Sequence, residues 1–426
     1  MSWLGLPLLL LALLGAPLFA IIGASALLGF HTAGIDLQIV AIEIYRMGKM
    51  PVLLAIPLFT FAGYLLSESD TPGRLVRLSQ AWLGWLPGGL PIVALLTCAL
   101  FTAFTGASGV TIVALGAILV PALATAGYPE RFNLGLVTSS GSLGLLFAPS
   151  LPLILYGVVA QQVAVGENVS IDDLFLAGLF PGLLMIAVLA AWSMRQGFVS
   201  RETRQPFELQ KALSTLRESW LELPLPFIVL GGIYSGYFVV SEAAAVTAIY
   251  VLVVEVLIRR EITLRELPNV VRESMMLVGA ILIILGVSLA STNYVIDAEI
   301  PTLLFDWINS QVSNKYTFIL LLIGFLLLLG MLLDIFSAIV IMIPIILPIA
   351  VGYDIHPIHL GILFLAAMQI GYFTPPVGMN LFIASFRFGI PVMTLYRSTL
   401  PFFFLLLLCV FLIGFYSPLS TWVLDP

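Results

Sequence analysis

The sequence predicts an all-α polytopic membrane protein, built as an inverted repeat with two re-entrant helical hairpins and two broken transmembrane helices. Three observations predict it. Apolar residues make up 61% of the 426-residue chain and charged residues only 9%, with a mean hydropathy of +1.13. Apolar runs of roughly 20 residues, enough to cross a bilayer, recur from end to end. Two stretches about 227 residues apart each carry an apolar run broken by proline and glycine, Gly144 to Pro152 and Gly371 to Asn380. Gly144 and Pro149 fall on Gly371 and Pro376 at one offset, and Pro121 falls on Pro348. Within lipid, backbone groups freed by such breaks must be satisfied by protein, water or a bound solute.

The elements follow in order within a single membrane domain, 1–426. Residues 3–29 read as a first span, since no small-residue cleavage site with a soluble continuation follows. The first repeat, 1–219, continues with a polar-striped stretch 36–50, a span 51–67 and a second striped stretch 72–86. The hairpin 88–126, the broken span 131–165 and a span 174–195 complete it. A linking span, 220–237, joins the halves. The second repeat, 238–426, offers a span ending at 258, a striped stretch 262–274 and a span 275–297. A striped stretch 301–313, the hairpin 315–352, the broken span 358–388 and a last span near 398–416 follow.

The two long segments are read as hairpins because each is interrupted at its middle by polar residues. These are Thr105 to Gly109 in the first and Asp334 to Ser337 in the second. Two complete spans each is the competing reading. With nine spans and two hairpins, Arg74, Arg77, Arg131, the cluster Arg195 to Arg217, Arg259, Arg260, Arg265, Arg272, Arg387 and Arg397 are cytoplasmic. Only Arg46, Lys49 and Lys315 lie outside, as the positive-inside rule asks. In 72–86, Leu75, Leu78, Trp82 and Trp85 recur at helical spacing opposite Arg74, Arg77 and Gln80, so this helix either lies in the interface plane or serves as an amphipathic connector.

Asp334 is the one carboxylate deep inside a long apolar run. Glu242, Glu255 and Asp297 lie nearer span ends, and Glu255 has Arg259 one turn on as a helix pair. An acid at the membrane centre costs about 2.5–3.5 kcal/mol on insertion scales. No Lys or Arg lies at comparable depth, so a bound cation is the economical compensation; the alternative is a protonated Asp capping a helix. No mid-span basic residue awaits an anion, but half-helix N-termini present free N–H groups to one. Ser108, Thr111, Ser139, Ser140, Ser142, Ser150, Ser337, Thr374 and Asn380 cluster at the interruptions. Hard cations take such oxygens, while small residues also serve close helix packing.

Other signals are weak. His356 and His359 are expected in a short extramembrane turn, Gly48-Lys49 lacks the rest of a phosphate loop, and no nucleophile elbow or metal-protease helix is present, so neither ATP nor enzyme chemistry is indicated. No basic patch suggests nucleic acid. Cys98 and Cys409 sit in apolar runs and are expected as buried free thiols.

Leu54 to Phe59, Pro87 to Leu90, Gly106-Ala-Ser-Gly109, Gly144 to Gly157, Ser241-Glu-Ala-Ala-Ala245, Gly330-Met-Leu-Leu-Asp334 and Thr374-Pro-Pro-Val-Gly-Met-Asn-Leu381 resemble the large membrane (DctM-like) subunit of tripartite ATP-independent periplasmic (TRAP) transporters, nearly end to end. The resemblance implies sodium-driven uptake of a small carboxylate, of the C4-dicarboxylate or sialic-acid type, by an elevator-type movement in a bacterial inner membrane. It also implies a small four-span membrane subunit, on a separate chain since no such unit precedes residue 1, and a soluble periplasmic substrate-binding protein. A one-component sodium–anion symporter is the alternative. The family usually has two prolines before the serine of the first break, where Ala148 here precedes Pro149. Residues and resemblance together nominate Gly106, Ser108, Gly109, Ser140, Phe147, Pro149, Asp334, Ser337, Gly371, Thr374 and Gly378 for sodium. They nominate Ser108, Thr111, Ser142, Ser150, Pro376 and Asn380 for the substrate.

Overall fold

The computed structural model describes residues 7–422 and 424, apart from 9, 12, 13, 164, 166–168, 201–206 and 313. Every regular element among the described residues is helical, as a chain that must satisfy its backbone within lipid requires. Among the described residues, eight helices are long and apolar enough to cross a bilayer, or nine if Glu130–Leu146 and Leu151–Val163, bent by 43°, count as one.

Two helix–turn–helix pairs dominate the organisation: Gly89–Thr105 with Ser108–Thr125, and Lys315–Leu332 with Ile335–Gly352. Each arm has 17 or 18 residues, about 26 Å at 1.5 Å per residue. A shift of 227 residues, the separation of the bonded pair Ser142 and Gln369, lays the first pair on the second to within one residue. Contacts recur with the halves exchanged. Leu18–Thr32 lies against Leu267–Asp297 and Val240–Leu252 against Ala55–Glu68, while Ser108–Thr125 meets Met379–Phe388 and Ile335–Gly352 meets Leu151–Val163. The core sits around the interrupted helices: Pro357–Gly371 is buried at every residue, as an all-round apolar helix must be. Cys98 and Cys409 are buried free thiols.

Several expectations change. The first span, expected over 3–29, lies partly outside the described residues, and its described part breaks at Gly15–Pro17 before the helix Leu18–Thr32. The striped stretch 262–274 and the span 275–297 are largely one 31-residue helix, Leu267–Asp297, because no proline interrupts the run after Pro268. The linking segment forms only an 11-residue helix, Pro224–Tyr234, about 16 Å long. His356 lies in the turn between Gly352 and Pro357, as expected, where its side chain caps the helix Pro357–Gly371. His359 is buried within that helix, 2.6 Å from the Ser420 hydroxyl.

The amphipathic helix Thr71–Leu83 buries Leu75 and Leu78 of its apolar stripe and exposes Arg77, but departs from the striped pattern at two positions. Trp82 is exposed, whereas Arg74 is buried. Its guanidinium reaches Glu222 at 2.8 Å, Glu255 at 3.5 Å and Glu261. Glu255 therefore pairs with Arg74 and Thr71, and Arg259 turns to Glu222 at 3.3 Å. The π-helical stretch Val253–Ile258 changes the turn on which a Glu255–Arg259 helix pair depends. Removing one member of a buried ionic network strands the others, at about 3–5 kcal/mol. Arg74→Met is accordingly expected to lower the thermal midpoint and the yield of purified protein, while Arg77→Met, on the half-exposed outer pair, leaves both near wild type.

Candidate ion and substrate site

At the first tip, the helix Gly89–Thr105 ends on Gly106, whose φ of 65° is a left-handed conformation glycine adopts without steric cost. A Cβ there would lie 2.5 Å from the Leu151 side chain, so the tip is seated directly on the helix that follows the first break. The chain passes through extended Ala107 and restarts as Ser108–Thr125 with no side-chain cap. Its first N–H groups are thus left for a ligand, at the positive end of the helix dipole.

The second tip is chemically different. Leu333 and Asp334 are extended. Asp334 Oδ1 accepts from the N–H groups of Phe336 and Ser337 at 3.0 Å each, and Oδ2 accepts from the Ser337 hydroxyl. The Ile335 N–H donates to the Tyr372 hydroxyl. The first turn of this helix is satisfied by protein, and a carboxylate with about four acceptor positions keeps one for a cation. Gly106, Ser108, Gly109 and Asp334 line one cavity of about 310 Å³, so both tips meet in a single space. Tyr64, Leu277 and Ile281 also line it, and Tyr372 and Met379 contribute from the second break. No Lys or Arg is among its lining residues.

The first break runs from Glu130–Ser140 through a 3₁₀ turn, Leu143–Leu146, to Leu151–Val163. The second runs from Pro357–Gly371 to Met379–Phe388 through a positive-φ Gly378. Cis peptide bonds occur at Ala148–Pro149 and Pro375–Pro376. Asn380 joins the second break to the first tip, accepting from the Ser108 hydroxyl at 2.7 Å. Thr111 turns instead to Thr102 at 2.7 Å, and Ser140 to the carbonyl of Val137 at 3.4 Å. Ser142 donates to the Gln369 carbonyl at 3.2 Å, and Thr374 to that of Ile370 at 2.7 Å. Gly371 is buried against Gly330, whereas Pro376 is exposed. Phe147 is half-buried beside Pro149.

Among the described residues, four fully buried side-chain oxygens near the tips and breaks have no hydrogen-bond partner: Thr105 Oγ1, Thr138 Oγ1, Ser150 Oγ and Gln369 Oε1. Thr105 and Ser150 are the chain neighbours of Gly106 and Leu151, the pair in contact where tip meets break, and each carries an orphaned hydroxyl. Buried groups of this kind are costly when unpaired, and oxygen donors without a counter-acid suit a hard monovalent cation. Among the described residues no cluster of three or more His, Cys, Asp or Glu side chains offers a transition-metal site. Thr105 was within view in the sequence as the first residue of the polar interruption. Thr138, Gln369, Tyr372 and Tyr64 carried no comparable signal, because what matters about them is the tertiary neighbour.

The family model described as "Tripartite ATP-independent periplasmic transporter, DctM component" matches residues 6–419. The C4-dicarboxylate TRAP transporter large permease protein DctM of Pseudomonas aeruginosa is 35% identical over 374 residues, covering 88% of this chain and 86% of that one. The isethionate TRAP transporter permease protein DctMQ of Oleidesulfovibrio alaskensis is 32% identical over 414 residues, or 96% of this chain but 64% of its own length. Among solved structures, the YdaH transporter of Alcanivorax borkumensis shares the fold, with a TM-score of 0.60 at 15% identity over 87% of this chain and 86% of that one. The chain belongs to the DctM family, the large membrane subunit of TRAP transporters.

Proposed function

We propose that this subunit carries a small organic anion inward by sodium-coupled symport, with the two hairpins and two broken helices moving as one block. As a DctM component it is a multi-pass transporter subunit of the inner membrane and not an enzyme, and such permeases work with a small membrane subunit and a periplasmic binding protein. The observation that carries the reading is the single cavity onto which both tips open. Two re-entrant hairpins related by an inverted repeat, 1–219 and 238–426 about a short linker, would place their tips together at mid-membrane. The exchanged packing of the halves supports that arrangement.

The uncapped N-terminus at Ser108–Val110 suits a carboxylate or sulfonate, with Asn380 as neighbour. Related permeases are named for C4-dicarboxylates and for isethionate, both small organic anions. Sodium is assigned to the hydroxyls of Thr105 and Ser150 with nearby backbone carbonyls at the first tip, and to Asp334 at the second. Each charge moved through 100 mV contributes about 2.3 kcal/mol, so two sodium ions with a monoanion would drive steep accumulation. The small subunit is assigned to a separate polypeptide, which would co-purify with this one.

Uptake into proteoliposomes holding the complex, with binding protein outside, is expected to need an inward sodium gradient. Uptake indifferent to sodium would overturn the coupling, and uptake by this chain alone would favour the one-component symporter. Thr105→Val with Ser150→Ala is expected to raise the sodium concentration for half-maximal uptake roughly thirtyfold, as two lost contacts of about 1 kcal/mol each imply. The isotope-uptake titration against sodium checks it.

A further inference from the structure

A cleft of about 410 Å³ separates the amphipathic helix Ile300–Gln311 from the second hairpin. Its walls, including Leu304, Ile308, Leu322 and Ile346, are apolar, and among the described lining residues Gln311, one helical turn after Trp307, is the polar one. One end is fixed by an aromatic cluster: Phe318 stacks on Tyr353 at 4.3 Å, Phe305 meets Tyr353 edge-on at 5.5 Å, and the Tyr353 hydroxyl donates to the Val312 carbonyl at 2.5 Å. The mouth is continuous with the outward face of Lys315–Leu332, where Leu320, Leu321, Leu328 and Leu332 are each at least 50% exposed. That face meets bilayer hydrocarbon, the established surroundings of this protein.

The first half has protein where the second has this space. Thr71–Leu83 lies directly on the arm Gly89–Thr105, whereas Ile300–Gln311 lies on the second arm, Ile335–Gly352, and stands off from the first. Water would find almost no polar partners in such a cleft, and an empty cleft would forfeit dispersion contacts along both walls. The volume offers room for about fourteen groups the size of a water molecule, roughly 30 Å³ each, on the order of one acyl chain.

The geometry points to a lipid site: one acyl chain of a membrane phospholipid inserts between Ile300–Gln311 and the second hairpin, with its headgroup level with Trp307 and Gln311. Aromatic side chains favour that level of the membrane. The second hairpin then leans on lipid where the first leans on protein.

The test uses the intact complex in phosphatidylcholine vesicles doped with a phosphatidylcholine bearing a photoactivatable diazirine in its acyl chain, with adducts mapped by mass spectrometry. Adducts are expected on Leu322, Met342 and Ile346 within the cleft as well as on Leu320 and Leu328 outside it. Met342→Trp, or Ile345→Phe should the first fold poorly, fills the cleft and should cut the inner adducts several-fold while the outer ones persist. Adducts confined to Leu320 and Leu328 would overturn the proposal. So would inner adducts that form only after the small subunit is removed, which would give the cleft to a side chain of that partner. The readout is independent of transport, so it stands apart from the sodium mechanism.

Discussion

Asp334→Asn is expected to abolish sodium-driven uptake in proteoliposomes while the complex still assembles, and Asp334→Ala is expected to do the same. The pair separates two roles that the structure superimposes. Asp334 caps the helix Ile335–Gly352 through Phe336 and Ser337, and it also lines the shared cavity. Asn is as good an N-cap as Asp, whereas Ala costs about 1 kcal/mol of helix stability. If capping were its whole contribution, Asn would transport like wild type and only Ala would suffer. If the charge holds a cation, both fail. A lost contact to a charged group of about 3 kcal/mol corresponds to an affinity loss on the order of 100-fold. Wild-type sodium dependence in Asp334→Asn would remove Asp334 from the ion site.

Gly371→Ala is expected to abolish uptake and to lower the thermal midpoint. A Cβ at Gly371 would stand 2.6 Å from the Gly330 Cα and 3.0 Å from the Leu327 carbonyl oxygen. These are backbone atoms of the second hairpin, so no side chain can swing aside. The first half has the equivalent contact, where a Cβ on Gly144 would lie 2.5 Å from the Ala103 nitrogen. In both halves a hairpin arm touches a broken helix backbone to backbone, and overpacking such a contact typically costs about 1–3 kcal/mol or more. Gly324→Ala is the control on the same arm. Nothing lies within 4 Å of its added methyl group, and Ala is favoured over Gly in a helix by about 1 kcal/mol, so stability should hold or rise. Equal losses at 324 and 371 would contradict the close-approach argument.

What the sequence disclosed, and what it hid, divides along physical lines. The polar interruptions at Thr105–Gly109 and Asp334–Ser337 coincide with helix ends, and Gly144–Pro152 and Gly371–Asn380 with breaks. Such features are local: a glycine able to turn left-handed, prolines without an N–H, and polar residues in an apolar run each act on the backbone where they stand. Burial of Arg74 was hidden because helical spacing assigns an arginine to the polar face, and only three carboxylates from distant segments reverse that. The continuity of Leu267–Asp297 was obscured by Arg272 and Glu273, which look like a membrane boundary yet ride on an unbroken helix. The walls supplied by Tyr64, Leu277 and Ile281 left no trace at all, since each is an ordinary apolar residue in an ordinary apolar helix.

The most direct measurement is a density map of the complex in lipid, recorded with sodium and with the anion delivered by the binding protein. Gly106 and Asp334 are expected at one depth near the middle of the bilayer, with a cation coordinated beside Thr105 and Ser150 and the anion on the Ser108–Val110 N–H groups. Gly106 and Asp334 at opposite faces of the membrane, each ending a full crossing, would contradict it.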